Sequence, residues 1–159
     1  MSMTIRVQTE VFDPGVEIEL LGTVSQQVGA VTSFTGLVRD INEQAGVSGL
    51  YLEHYPGMTE KQIALIIDEA AERWQVLAAT VIHRVGALVP ADPIVFVGVA
   101  SQHRGDAFHA CEYIIDFLKT RATFWKKEQT QTGDRWLTTR DSDVATANDW
   151  ESGPRSVDQ

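Results

Sequence analysis

The sequence predicts an α+β fold: one domain, with a mainly antiparallel sheet and two long helices. Three observations carry that expectation. Strand-like and helix-like stretches follow in the order β-α-β-β-α-β-β-α-β-β, which mixes hairpins with helical crossovers and lacks the strict alternation of a doubly wound fold. One stretch, IVFVGVA at 94–100, is apolar on both faces, as a central strand covered on two sides must be. Two segments, starting near Thr59 and Asp106, repeat apolar residues at helical spacing.

Residues 4–11 alternate and read as the first strand, Asp13-Pro14-Gly15 as a turn, and Val16 to Val24 as a short helix. Gly29 to Val38 is rich in β-branched residues and alternates, the pattern of a strand. The polar stretch RDINEQAGVSG, opening at Arg39, predicts a mobile loop, and Leu50 to Tyr55 a strand closed by Pro56-Gly57. Thr59 and Gln62 fit a capping box, followed by a stripe of Ile63, Ile66, Ile67, Ala70 and Trp74. Ala79 to Val85 is a strand leading to the central one. Asp106 to Thr120 is the second long helix, with Phe108, Cys111, Ile115 and Leu118 as its stripe. Thr123 to Gln129 and Arg135 to Thr138 form a closing hairpin about the turn Thr132-Gly133-Asp134.

The 159 residues carry a formal net charge of −9, with 43% hydrophobic and 22% charged residues, enough apolar material for one core. No apolar run approaches the roughly 18 residues of a membrane span, and MSMTIRVQTE lacks a secretory signal's apolar centre. The single cysteine, Cys111, forbids an internal disulfide and fits a reducing cytoplasm. An acidic balance argues against broad nucleic-acid binding, so any bound anion is expected to be small and met locally. The segment from Asp141 to Gln159 is acidic and poor in periodic apolar residues, and reads as a short helical end followed by a disordered tail, leaving residues 1–140 as the domain.

Against that acidity, KTRATFWKKE at 119–128 gathers Lys119, Arg121, Lys126 and Lys127 around Phe124 and Trp125. Neighbouring cations disfavour each other's charged form, which would make Lys119 a nucleophile or a proton donor. Strand alternation puts Lys126 and Lys127 on opposite faces. His103-Arg104 opens the second long helix, where free N–H groups also favour an anion, and Arg39 opens the loop. Helix length separates His103 from Lys119 by about 20 Å. Cys111 lies on an apolar stripe and reads as a small buried hydrophobe. No His/Cys/Asp spacing fits a metal and no glycine-rich phosphate loop precedes a helix. Residue reading alone ends at an α+β domain with a basic pocket for a small anion.

Five blocks, FTGLVRD (34–40), LEHYPGMTEK (52–61), VIHRVGAL (81–88), ASQHRGDAF (100–108) and LKTRATFWKKE (118–128), together resemble the large, catalytic subunit of molybdopterin synthase. Two positions depart from the family pattern: Thr123 stands where a proline is usual and Ala91 where a glycine is common. The resemblance implies a hammerhead-like single domain that transfers sulfur from the C-terminal Gly-Gly thiocarboxylate of a small ubiquitin-like partner to cyclic pyranopterin monophosphate, without a cofactor or metal of its own. It implies a homodimeric core inside a heterotetramer, Lys119 and Lys126 as catalytic residues, and a substrate wall of Leu37, Val38, Arg39, His103, Arg104, Lys119, Lys126, Lys127 and Glu128. Two rival readings are a transferase using Cys111 as covalent carrier and a non-catalytic anion-binding or scaffold module.

Overall fold

A computed structural model describes the backbone of residues 1–39, 41–42, 45–130, 133–137 and 141–151, and the side chains of residues 1–39, 49–127 and 142–151. The elements in chain order are β1 (Ser2–Gln8), α1 (Pro14–Gly22), β2 (Ala30–Leu37), β3 (Ile41–Asn42), β4 (Ala45–His54), α2 (Met58–Arg73), β5 (Ala78–Arg84), β6 (Gly86–Leu88), β7 (Pro93–Ser101), α3 (Arg104–Arg121), β8 (Phe124–Thr130), β9 (Gly133–Leu137) and α4 (Asp141–Glu151).

Two sheets form. The first has the strand order β1-β5-β7-β2, with β1 parallel to β5 and the other pairs antiparallel. The second runs β3-β4-β8-β9, with β6 added to β4, and its pairs are antiparallel throughout. The predicted α+β class with a mainly antiparallel sheet is therefore what the chain adopts.

The central strand β7 is buried along almost its whole length, as its two-faced apolar sequence requires. Val95, Val97 and Val99 face a large core shared with Ile63, Ile66, Ile67 and Ala70 of α2, each fully buried, and with Ile114, Phe117 and Leu118 of α3. Phe96 and Ala100 face the other way, into a smaller core with Phe12, Leu21, Ala78 and Ile82 beneath α1. Gly98 makes that second layer possible, because a Cβ there would sit 2.4 Å from Leu21 Cδ1. Each buried aliphatic side chain contributes about 1.5–3 kcal/mol, so the α2 stripe alone holds that helix in place.

Several local expectations give way to tertiary partners. Asp13-Pro14-Gly15 is the start of α1: the Asp13 carboxylate accepts from the N–H groups of Gly15 and Val16, and Pro14 takes the first helical position, where its missing N–H costs nothing. The loop predicted from Arg39 is largely strand, because β8 and β3 supply hydrogen-bond partners to a stretch whose own composition is polar. The α2 cap is Gly57, whose N–H donates to the Glu60 carboxylate at 2.7 Å, while Thr59 lies inside the helix and is fully buried. Phe108 is 61% exposed and leaves the predicted α3 stripe, since the sheet-facing side of α3 runs through Ala107, Ala110, Cys111, Ile114 and Leu118. The helical end expected after residue 140 is α4, and it docks: Trp150 is 1% exposed and its indole N–H donates to Asp116 at 2.7 Å. Residues 152–159, the rest of the expected tail, and Thr132 of the expected turn lie outside the described residues. Among the described residues no helix is long and apolar enough to cross a membrane.

Ala91 has φ of 73°, in the left-handed region where a Cβ costs about 1–2 kcal/mol. It is held there because its N–H donates to the Val38 carbonyl at 2.8 Å while the Val38 N–H donates to Asp92 at 2.9 Å. This clamp fixes the chain just before Arg39. Ala91→Gly relieves the strain at some cost in unfolded-chain entropy, so a net gain of up to about 1 kcal/mol is expected. Thermal unfolding checks it: Tm should rise by roughly 2–4 °C, and an unchanged or lower Tm would show that the turn is not strained.

Candidate active site

The site is set by where α3 begins and ends. β7 runs from Pro93 to Ser101, and α3 starts three residues later and returns over the same sheet. His103-Arg104 therefore sits at one end of the sheet and Lys119 at the other, about 22 Å along the helix from Arg104. At the Lys119 end lie the last residues of β5 and the first of β7, since His83 pairs with Val95, and the end of β2, since Leu37 pairs with Pro93. Arg39 follows two residues on and is exposed; Leu37 is exposed at 54% and Val38 is buried.

β8 brings the second lysine to the same place. Its first residue, Phe124, stacks on the His83 ring with centroids 3.8 Å apart and planes at 20°. Alternation then puts Lys126 on Phe124's side of the strand, towards His83 and α3. Lys119 and Lys126 both lie close enough for their charges to act on the His83 ring. Lys127 faces the other way: it pairs with Tyr51 across the strands, and its ammonium lies 5.8 Å from that ring's centroid. Trp125 shares that outer side and is 47% exposed.

The expected substrate wall is thus divided within one chain. Arg39, Lys119 and Lys126 share one end of the sheet, with Leu37 and Val38 leading into it. His103 and Arg104, both exposed, lie at the far end, and Lys127 is on the opposite face of β8. The side chain of Glu128 lies outside the described residues.

Arg121 also leaves the cationic cluster. Its guanidinium grips Glu69 with two contacts of 2.5 and 2.9 Å, and the Tyr113 hydroxyl donates to the same carboxylate at 2.9 Å. The Arg121 hydrogen bonds hold the Glu69 carboxyl below its usual range and, reciprocally, raise Arg121. This ion pair ties α2 to the last turn of α3, which carries Lys119. The elbow between the two lysines is held by another network: the Tyr55 N–H donates to Thr59 Oγ1 at 3.1 Å, the Thr59 hydroxyl donates to the Thr123 carbonyl at 3.0 Å, and the Thr123 hydroxyl donates to Gln62 Oε1 at 2.8 Å. Hydrogen bonds here replace the stiffness a proline would give.

His83 is the residue that residue-by-residue reading passed over. It is 6% exposed, on the α3-facing side of β5. Burial, opposed only by its bond to the Arg84 carbonyl, pushes its pKa down to about 3, with the charges of Lys126 and Lys119 acting in the same direction. The signal was available: a histidine in ATVIHR at the alternate position that continues the apolar face of Ala79 and Val81. Cys111 is 4% exposed, with Sγ 3.7 Å from the Val97 carbonyl, and burial pushes its thiol up to about 12. That is an inert thiol, unsuited to carry sulfur at neutral pH. Among the described residues no group of three His, Cys, Asp or Glu could hold a metal ion.

Fold and site together define an α+β domain that gathers cations at one end of a sheet. A family model described as "MoaE protein" matches residues 7–121. A protein of Pseudomonas aeruginosa named molybdopterin synthase catalytic subunit is 53% identical over 149 residues, covering 94% of this chain and 99% of that one. One of the same name from Ralstonia nicotianae is 57% identical over 147 residues, covering 92% and 84%. The structure of a molybdopterin biosynthesis MoaE protein from Burkholderia ambifaria superimposes with a TM-score of 0.81 at 46% identity, covering 95% and 99%. The chain belongs to the MoaE family, the catalytic subunits of molybdopterin synthase, and is an enzyme of molybdenum cofactor biosynthesis.

Two outcomes check this geometry. The unfolded chain gains a proton near pH 6.5 that the buried His83 ring refuses down to about 3, so His83's contribution is whole above pH 6.5 and is lost as pH falls through that window. Denaturant-derived stability should fall by up to ~1.4 kcal/mol per pH unit more in the wild type than in His83→Phe; equal slopes would mean that the native ring is charged. Thr123→Val should cost about 1–3 kcal/mol, because it strands Gln62 without its donor, whereas Thr123→Ser should stay near wild type in the same denaturation assay.

Proposed function

We propose that this chain transfers sulfur from the C-terminal thiocarboxylate of a small ubiquitin-like subunit to cyclic pyranopterin monophosphate, with Lys119 and Lys126 as its catalytic residues. The observation that carries the reading is the convergence of these two lysines at one sheet end, over a buried uncharged histidine, with Arg39 at the same end. The relatives are named as one subunit of a synthase, which supports a second subunit as sulfur donor. The single buried cysteine fits a cytoplasmic setting, and it leaves sulfur delivery to that partner.

The chemistry follows from charge. As the thiocarboxylate sulfur displaces an oxygen substituent of the pterin, and as water then cleaves the resulting thioester to a carboxylate and leaves the sulfur on the pterin as a thiolate, negative charge develops on oxygen and sulfur. Ammonium groups held ready at that point stabilise it without reorganisation, and one of them gives or takes the proton. Arg39 suits the substrate phosphate, which a guanidinium binds through two parallel hydrogen bonds. His103 and Arg104 lie too far from Lys119 in one chain to join it. A symmetric homodimer in which the partner's helix start meets this end would complete the proposed substrate site across the dimer. Lys127 and Glu128 then belong to its border, and residues 1–140 carry the chemistry.

The test mixes the protein with a thiocarboxylated small subunit and the cyclic pterin, and reads dithiolene pterin as its fluorescent oxidised derivative. Product is expected with the wild type and with Cys111→Ser. Lys119→Ala should lower kcat by at least about a hundredfold. No product above the small subunit alone, or full turnover in Lys119→Ala, would sink the proposal; loss of turnover in folded Cys111→Ser would restore the covalent-carrier reading.

A further inference from the structure

Lys119 and Lys126 stand on different bodies of the fold. Lys119 is carried by α3, which packs on the first sheet, and Lys126 by β8, a strand of the second. The turn from helix to strand between them occupies only Ala122 and Thr123. The placement of one lysine against the other therefore depends on the angle of that elbow.

The hydrogen bonds at the elbow run in one direction. Thr59 is fully buried in the first turn of α2, and its hydroxyl oxygen accepts from the Tyr55 N–H at 3.1 Å. Its single proton is left for Thr123, whose carbonyl lies at 3.0 Å and whose hydroxyl oxygen lies at 3.1 Å. The Thr123 hydroxyl in turn donates to Gln62 Oε1 at 2.8 Å. Thr59 thus holds the backbone of the elbow and Gln62 its side chain. Tyr55 directly follows His54, the last residue of β4, which pairs with Phe124, the first of β8. Thr59 consequently staples two corners, β4 to α2 and α3 to β8, that lead into one strand pair.

The backbone at the elbow has the shape that a proline would impose. Ala122 has φ of −75° and ψ of 137°, and the Phe124 N–H donates to the Ala122 carbonyl at 2.9 Å. A bond across one residue is a γ-turn, and with a negative φ at Thr123 it is the inverse form, whose central φ is about −75°. Proline fixes its own φ near −65° and keeps the residue before it extended, so it fits position 123 as the chain already runs. Side-chain hydrogen bonds hold a shape that a ring could hold covalently.

We propose that Thr59 and Gln62 are positioning residues for this reaction, which set Lys126 against Lys119 by fixing the elbow at Thr123 through hydrogen bonds. The proposal rests on the reading of the two lysines as the catalytic pair. Both residues act through the backbone between the lysines and touch neither substrate nor partner.

The test uses the reconstituted reaction with thiocarboxylated small subunit and cyclic pterin. Thr59→Val keeps the volume and lacks the hydroxyl, and should lower kcat between about ten- and a hundredfold. Thr59→Ser should stay within about twofold of wild type. Gln62→Ala, a half-buried helical position where alanine favours folding, should lose at least about threefold in kcat, and its KM for the pterin should stay within about twofold. Thr123→Pro added to Gln62→Ala should restore kcat to within about twofold of wild type, because the ring supplies the lost stiffness. Wild-type kcat in folded Gln62→Ala, or a loss that Thr123→Pro leaves in place, overturns the proposal without Thr59→Val having to fold. The geometry is also read without turnover, as the yield of the intrachain Lys119–Lys126 link formed by a short amine-reactive bifunctional reagent. That yield should change in Gln62→Ala and return with Thr123→Pro, and an unchanged yield overturns the proposal. Active lysine variants would remove the catalytic assignment and leave the cross-link result standing. Inactive lysine variants beside a fully active Gln62→Ala would remove the positioning role alone.

Discussion

Two residues join β7 to α3, so the helix must turn back over the sheet it has just left. Strand and helix have similar lengths, about 30 Å for the strand and about 27 Å for the helix. The helix therefore ends where the strand began, and everything functional follows from that match. It carries Lys119 to the edge where β5 ends, β2 ends and β8 starts. It also leaves His103-Arg104 at the far edge. The buried faces of β7 and α3 hold the arrangement, and the Arg121–Glu69 ion pair and the Thr59–Thr123–Gln62 hydrogen bonds secure its last turn and the elbow after it.

The cationic stretch at the end of α3 is consequently four side chains with different fates. Arg121 is paired with a carboxylate, and Lys127 lies over Tyr51 on the outer side of β8. Lys119 and Lys126 lie at one end of the first sheet, where their charges act on a ring that burial keeps neutral. A third cation at His83 would face two ammonium charges in a low-dielectric setting, where repulsion is far stronger than in water. Neutral His83 therefore adds no third charge beside the two lysines.

Much of this was legible in the sequence. The apolar run 94–100 and the α2 stripe announced the central strand and its covering helix, because burial on one face or two leaves a direct periodic mark. Alternation alone already said that Lys126 and Lys127 cannot share a pocket. What local pattern could not show was partner choice: that Glu69, 52 residues away, neutralises Arg121, that β8 turns a polar loop into strand β4, or that His83 lies under Phe124. Phe108 misled for a related reason, since the apolar face of α3 is wide enough for an exposed aromatic to fit a helical stripe. The resemblance to the synthase family supplied residue roles, but the division of those residues between two ends of the sheet is visible only in three dimensions.

The central claim is that each site takes Lys119 and Lys126 from one chain and His103-Arg104 from its partner. Heterodimers assembled from two differently tagged, individually inactive chains measure it directly. A Lys119→Ala chain paired with an Arg104→Ala chain leaves one site with all its parts, so about half of the wild-type turnover per dimer should return, whereas Lys119→Ala paired with Lys126→Ala should stay inactive. Recovery in the second pairing, or none in the first, would contradict the account.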